Sequence, residues 1–488
     1  MGCVSWLARK QHSKKPTTGK PQAMLKNILN TFVNCFKIPE LKSRILFTLV
    51  VLGICRLISM LPLPGLDGQA LADYFAKMAS KEGGGLLGMY SMFTGGALER
   101  CGIGSLGIMP YISATIIIQL LSAVLPQLSK LAREEGGRAK IIQYGRYLTV
   151  LLCLGQGFVM AIAWENPDKI FQGFPGQLVQ DPGMLYRLQT TLLLTTGTLL
   201  LMWLGEQISE RGIGNGVSLI ITVGILARIP QTVQALVEMF FPPEGVEARF
   251  NPVFHGVMMV GLLGFVIAGV IAVTQAQRKI PVQYAQRTVG RKMVQGGSSF
   301  MPLKVNYAGV MPIIFAQAIL MFPEKILDML GKSLDFKFLE ELAVHFREDQ
   351  YMHMLLFGGM ILFFSYFWVA TQFNEVQIAD DLKKYGGYIP GVRPGQATTD
   401  FLHHTMSRIT LAGAVFLVVI AIIPQVLSRS LGINYYVSQF FGGTSLLITV
   451  GVVLDTMRMM ESHLLMRHYD GFLSAGKTGK GPRLRGRF

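Results

Sequence analysis

The chain is 488 residues long, 51% hydrophobic and only 15% charged, with a mean hydropathy of +0.42, whereas about a quarter of a soluble domain is charged. These proportions exclude a soluble enzyme. Lys and Arg number 45 against 29 Asp and Glu, a net charge of +16, which suits a polyanionic partner, an anionic membrane face or a topological signal.

Residues 1–24 form a basic N-terminal extension without apolar periodicity, for which disorder is expected. The opening MGCVSW has Trp6 where an N-myristoylation pattern has Ser or Thr. No cleavage site follows the first apolar stretch, so a retained span is expected there rather than a signal peptide, and residues 1–44 do not read as a Ser-rich transit peptide.

Stretches near the length of about 20 residues that crosses a bilayer fall at 45–61, 103–125, 147–164, 188–204, 217–237, 253–274, 305–322, 354–373, 409–427 and 437–454. Ten helices are predicted, with both termini on one side. The tails and alternate loops carry 32 of the Lys and Arg and the intervening loops 11, while acidic residues divide 12 against 17. One face is then about +20 and the other about −6, which makes the first face and both tails cytoplasmic.

Arg56 lies about five residues from the end of its span and is expected to snorkel. The other spans hold no Asp, Glu, Lys or His away from their ends, which weighs against proton-coupled or voltage-driven transport. Neither HExxH nor GxSxG occurs, and the pair His403 and His404 falls in a loop with no carboxylate at metal spacing. Cys3, Cys35, Cys55, Cys101 and Cys153 are scattered without CxxC spacing and read as packing residues.

Four segments between spans stand out. Residues 83–107 hold nine glycines in 25 positions before a span kinked at Pro110; the segment is either an outer loop or a stretch re-entering the bundle, which requires protein around it. GEQISERGIGNG, Gly205 to Gly216, lacks the Lys and Ser/Thr of a phosphate loop and reads as a tight interhelical turn. Residues 277–304 carry six positive charges and no acid, with alternating apolar positions that predict a hairpin. The loop 374–408 contains IPGVRPGQAT, whose prolines and glycines fix a turn presenting Arg393. Each of the last two is either a solvated positive-inside loop or an arm that docks a polyanion. Residues 474–488 form a second basic, Gly-rich tail.

From about residue 40 to 473 the chain resembles the SecY family of protein-conducting channels. The likeness rests on MFTGGALER (Met92 to Arg100), LGIMPYISATIIIQLL (Leu106 to Leu121), WLGEQISERGIGNGVSLII (Trp203 to Ile221), PLKVNYAGVMPIIFA (Pro302 to Ala316), GYIPGVRPGQAT (Gly387 to Thr398) and FFGGTSLLITVGVVLDT (Phe440 to Thr456). It implies an all-α membrane protein with ten transmembrane helices in two inverted five-helix halves, residues 25–237 and 238–473, around a central pore. It also implies a re-entrant plug helix over about 93–102, including Phe93, Thr94, Gly95, Gly96, Ala97 and Leu98.

The implied pore ring is Ile108, Ile112, Val217, Ile221, Val310, Ile314 and Ile448. All seven are aliphatic, as suits a constriction that dewets yet yields to a peptide. Three pairs are four residues apart, and so on one helix face. Spans two and three against seven and eight would form a lateral gate to membrane lipid. Ten apolar residues entering the bilayer are worth roughly −3 to −6 kcal/mol, enough to bias such a gate without any catalytic residue or cofactor.

The implied docking residues for the ribosome and the SecA motor ATPase are Arg146, Arg278, Lys279, Arg287, Arg291, Lys292 and Arg393, with SecE and SecG as membrane partners and signal sequences and nascent chains as cargo. The implied location is the bacterial cytoplasmic membrane, a plastid counterpart being disfavoured by the N-terminal composition. Departures from the family pattern are Lys292 in place of Arg, which keeps charge but not the bidentate fork, Gly145 before Arg146, and Glu375 after Asn374. A ten-span secondary solute transporter is the alternative of another class.

Overall fold

A computed structural model describes residues 39–475 except 81–90, 92, 135, 168–173, 175–176, 242–251, 285–286, 290–291, 295–296, 318, 321–326, 328–336, 347–349, 432–436 and 438–443. The two basic tails therefore lie outside the described residues.

Helices dominate because the apolar runs are long, and hydrocarbon leaves backbone polar groups no partner but the helix itself. The first half comprises α1 (Pro39–Met60), α2 (Gly68–Ser80), α3 (Met109–Val124), α4 (Pro126–Arg133), α5 (Gly137–Glu165), α6 (Met184–Arg211), α7 (Gly216–Leu226) and α8 (Ile229–Phe240). The second comprises α9 (Pro252–Gln275), β1 (Gln277–Tyr284), β2 (Arg287–Val289), β3 (Lys292–Val294), β4 (Ser298–Lys304), α10 (Lys337–His345), α11 (Tyr351–Gln372), α12 (Glu375–Lys384), β5 (Gly387–Tyr388), α13 (Gln396–Leu431) and α14 (Thr444–Ala475). Between β4 and α10, residues 311–317 are helical.

Each of the ten expected spans meets a helix. Among the described residues, seven helical segments are long and apolar enough to cross a membrane by themselves, and Met109–Ser122 is a shorter apolar one. Boundaries moved outward at two helix ends: α6 runs through Glu206 and Ser209 to Arg211, so the expected turn begins later, and α13 starts at Gln396. His403 and His404 are consequently helical rather than in a loop. His403 Nδ1 lies 3.0 Å from a Glu375 carboxylate oxygen, a partner the one-dimensional spacing hid. Pro110 does not kink the second span; it sits in the first turn of α3, where its missing N–H has no intrahelical partner to lose.

The fifth span is broken. Pro230 in the first turn of α8 ends α7 before it, leaving Ala227 and Arg228 at the break.

The two basic arms depart from an all-helical plan. β1 and β4 pair antiparallel from Gln277↔Lys304 to Gln283↔Ser298, with Ile280, Val282 and Leu303 buried on one face, as the alternation predicted. β2 and β3 continue the arm as a smaller ladder. The two-residue β5 adds to the other edge of β1, and Tyr388 donates its hydroxyl to Gln283 Oε1 at 3.0 Å. Both arms thus share one three-stranded sheet of order β4-β1-β5.

Candidate functional site: a central constriction and its plug

Six of the seven expected ring residues are buried together: Ile108, Ile112, Ile221, Val310, Ile314 and Ile448 belong to one apolar cluster, none more than 5% exposed, and the partly buried Val217 packs against it. They come from α3 and its N-cap Ile108, α7, the 310–317 region and α14, whose side chains meet in this one cluster. Close approach is set by small residues. At Gly451 of α14 an added Cβ would strike Val310 Cγ1, so this glycine is the socket for one ring side chain.

The plug enters that cluster through Phe93. Among the described residues of this segment Ser91 and Phe93 are helical and 94–101 form successive turns, so the expected helix over 93–102 is corrected to a coil of turns. Gly95 and Gly96 explain it, with φ of +64° and +86°, a left-handed doublet that ends a right-handed helix. The chain then curls back through Gly96 N–H to Ser91 O at 2.9 Å and Gly102 N–H to Ala97 O at 2.9 Å. Leu98 and Cys101 face a second core with Leu71 and Phe75 of α2, Trp164 of α5 and Leu194 of α6. The plug therefore bridges the constriction and the outer core. Its end is tied to the chain after α1, where Ile103 N–H donates to Leu61 O at 2.8 Å and Leu63 N–H to Cys101 O at 2.9 Å.

Packing beneath the plug is less complete. Phe93, Thr94, Arg56, Ser59, Ile108 and Gly224 border a cavity of about 20 Å³, room for a single water.

Two arginines reach the plug from the helices around it. Arg56 does not snorkel: its Nη1 donates to Gly95 O at 3.1 Å. Arg228, at the α7–α8 break and 4% exposed, meets Glu99 of the plug through two bonds, Nη2 to Oε1 at 2.7 Å and Nη1 to Oε2 at 2.8 Å. The sequence reading passed over Arg228 by surveying the spans for Asp, Glu, Lys and His. The signal was present, an arginine in mid-span two residues before Pro230.

The basic residues separate into three kinds. Arg278, Lys279 and Arg393 are exposed, the last in a turn whose Gly391 and Gly395 take φ of +85° and +105° and whose Arg393 carbonyl accepts from Thr398 Oγ1 at 2.9 Å. Arg287 and Lys292 are placed by the β2–β3 register alone, and Arg291 lies outside the described residues. Arg146 is already engaged: its fork meets Glu206 Oε1 at 3.0 Å and Oε2 at 2.8 Å, tying α5 to α6.

Among the described residues no cluster of His, Cys, Asp or Glu could hold a metal, and Cys55, Cys101 and Cys153 are buried free thiols.

The SecY family model matches residues 102–457. The chain belongs to the SecY family. The protein translocase subunit SecY of Thermotoga maritima is 40% identical over 91% of this chain and 98% of its own length, and that of Streptomyces coelicolor is 39% identical over 91% and 100%. Two solved folds align as well. A protein-conducting channel has a TM-score of 0.52 at 18% identity, covering 86% of this chain and 91% of its own. A SecY protein whose plug domain stabilizes the closed state has a TM-score of 0.51 at the same identity and coverage. Family membership replaces the solute-transporter alternative, which none of these relatives supports.

Proposed function

We propose that this chain is the channel subunit through which a translocase passes secretory polypeptides and from which apolar segments leave sideways into lipid. The observation that carries the reading is the aliphatic ring, drawn from four elements and closed against Phe93 of the plug. Such a ring holds back ions by excluding water, while aliphatic side chains can still re-form around a passing peptide. No bond is made or broken in that act, so the chain needs no catalytic group, and directed movement comes from a motor or a ribosome.

The exit is the seam between α3 with α5 and the 311–317 helix with α11. Phe315 makes edge-on contacts with Phe364 at 5.8 Å and Trp368 at 5.4 Å, binding the seventh and eighth spans into one leaf of that seam. SecE and SecG are the proposed membrane partners, in a bacterial cytoplasmic membrane with both tails in the cytoplasm. The joined sheet carrying Arg278 and Lys279, with the turn after β5 that presents Arg393, is the proposed seat of the ribosome and of SecA. A photoreactive side chain at Ile112 should crosslink to a stalled secretory chain; adducts to lipid-facing Leu185 but none at Ile112 would sink the ring as a pore.

Arg393→Glu should abolish motor-driven export, by at least about tenfold, because its turn positions one charge where an anionic partner surface sits and reversal turns attraction into repulsion. Assembly with SecE, measured by co-purification, should be unchanged, since the bond that holds the turn is accepted by Arg393's own backbone carbonyl, not its side chain. Loss of assembly would make the turn structural instead.

A further inference from the structure

We infer that Glu99 and Arg228, with Arg56 as a second contact, form a polar latch that sets how firmly the plug stays closed; this rests on reading residues 93–102 as the plug. The plug offers one carboxylate, Glu99, beside the exposed Arg100, and the surrounding helices offer two guanidinium groups. Glu99 is 8% and Arg228 4% exposed. Ser91 completes the network: its hydroxyl donates to Glu99 Oε1 at 2.9 Å and accepts from Arg228 Nη2, while its carbonyl accepts from the same nitrogen at 3.3 Å. Gln231 Oε1 accepts from Arg228 Nη1 at 2.5 Å.

The glycine doublet makes this possible. A Cβ on Gly95 would collide with Arg56 Nη1, and one on Gly96 would come within 3.3 Å of the Arg228 guanidinium. Gly224 of α7 lets the plug backbone come closer still, since its Cβ would be 3.1 Å from Phe93 O. Side chains at these three positions would hold the plug away from its arginines.

The energetics suit a reversible device. Burying a charge pair is costly, and its attraction roughly offsets that cost, so the paired state is little better than both ions in water. Leaving one ion buried without its partner is strongly unfavourable. Plug in and paired, or plug out and hydrated, are therefore both acceptable, and the states between are not. Two discrete arrangements of one segment follow, rather than a continuum. Glu99 is the carboxylate that pairs with Arg228 beside a second arginine, Arg56, bonded to the plug backbone, so removing its charge leaves both guanidinium groups without an anion at the plug. Glu99→Gln should accordingly loosen the plug more than Arg228→Gln does, and Arg228→Lys, which keeps charge without the fork, should fall between Arg228→Gln and wild type.

The chain carries its own reporter. Cys101 is fully buried at the end of the plug, and Cys153 is fully buried in α5 away from it. In the assembled membrane complex, a membrane-impermeant maleimide is applied from the outer face and alkylation of each cysteine is read by peptide mass spectrometry. With no chain in transit, Glu99→Gln should raise the rate at Cys101 about tenfold or more while leaving Cys153 unchanged, and the swap Glu99→Arg with Arg228→Glu should return it towards wild type. Unchanged Cys101 rates in both single variants, equal acceleration at Cys153, or a swap no better than the singles would overturn the latch. A wild-type complex holding a stalled secretory chain separates the two layers of the argument. Cys101 should then react quickly; if it stays protected, the plug reading itself fails and the latch with it.

Discussion

Gly216→Val is expected to remove the assembled protein from the membrane. A Cβ at Gly216 would overlap the carbonyl oxygen of Gly205 and lie 2.7 Å from its carbon and 3.0 Å from its Cα. All three are backbone atoms, so no side chain can rotate out of the way. The neighbouring contacts pin the turn further: Gly216 N–H donates to Ser209 Oγ at 2.9 Å, Ile213 N–H to Thr48 Oγ1 at 3.1 Å, and Asn215 caps α7 by accepting from Ser218 N–H at 3.3 Å. Overpacking a well-filled site costs about 1–3 kcal/mol and more where backbone has to shift, against a net stability of about 5–15 kcal/mol. The damage also reaches the pore, because α7 carries Val217, Ile221 and Gly224. The yield of complex surviving mild heating in detergent should fall severalfold or more. Gly53→Ala in α1, where an added Cβ meets nothing within 4 Å, should be indistinguishable from wild type. Equal survival of the Gly216→Val complex would mean that α6 and α7 do not approach this closely.

The spans and the arm hairpin were legible because each has its own period: long apolar runs for helices that cross a bilayer, alternation for β1 and β4. The arms' union was not, since β5 is only two residues, Gly387 and Tyr388, too short for any periodic signal. The ring was invisible to physics alone. Ile112 or Ile314 in an apolar helix looks the same whether it faces lipid, a neighbour or a pore, so the resemblance placed them, and the structure brought them together from four elements. The plug's irregular shape was foreshadowed by the Gly95–Gly96 doublet, although a helix was expected. Arg228 differs in kind. A charge in mid-span is among the most informative signals in a membrane sequence, and its partner Glu99 lies 129 residues away, a separation no local pattern expresses. Arg56 shows the complementary limit, because distance from a helix end fits snorkelling and inward bonding equally well.

Ile314→Asp should turn the resting channel into a leaking one. Ile314 is 1% exposed within a cluster otherwise made of aliphatic and aromatic side chains, Ile108, Ile112, Ile221 and Phe93 among them. An ionised carboxylate there has no cationic partner in that cluster, and both arginines of the plug site are already bonded to the plug. A buried charge left unpaired costs several kcal/mol even after relaxation, which water can offset only by entering the constriction. A change of about 3 kcal/mol in the balance between sealed and wetted states is roughly a hundredfold in population. Proteoliposomes holding the complex without cargo should therefore show a rise of that order in small-ion permeability. Ile314→Leu conserves volume and should cost under about 1.5 kcal/mol, keeping the seal; a dry, tight Ile314→Asp channel would show that water is excluded elsewhere. Because Phe93 of the plug packs into the same cluster as Ile314, ring and latch share an interface and are not independent. Ile314→Asp combined with Glu99→Gln should then leak less than the product of the two single effects, since either substitution already loosens the contact on which the other acts.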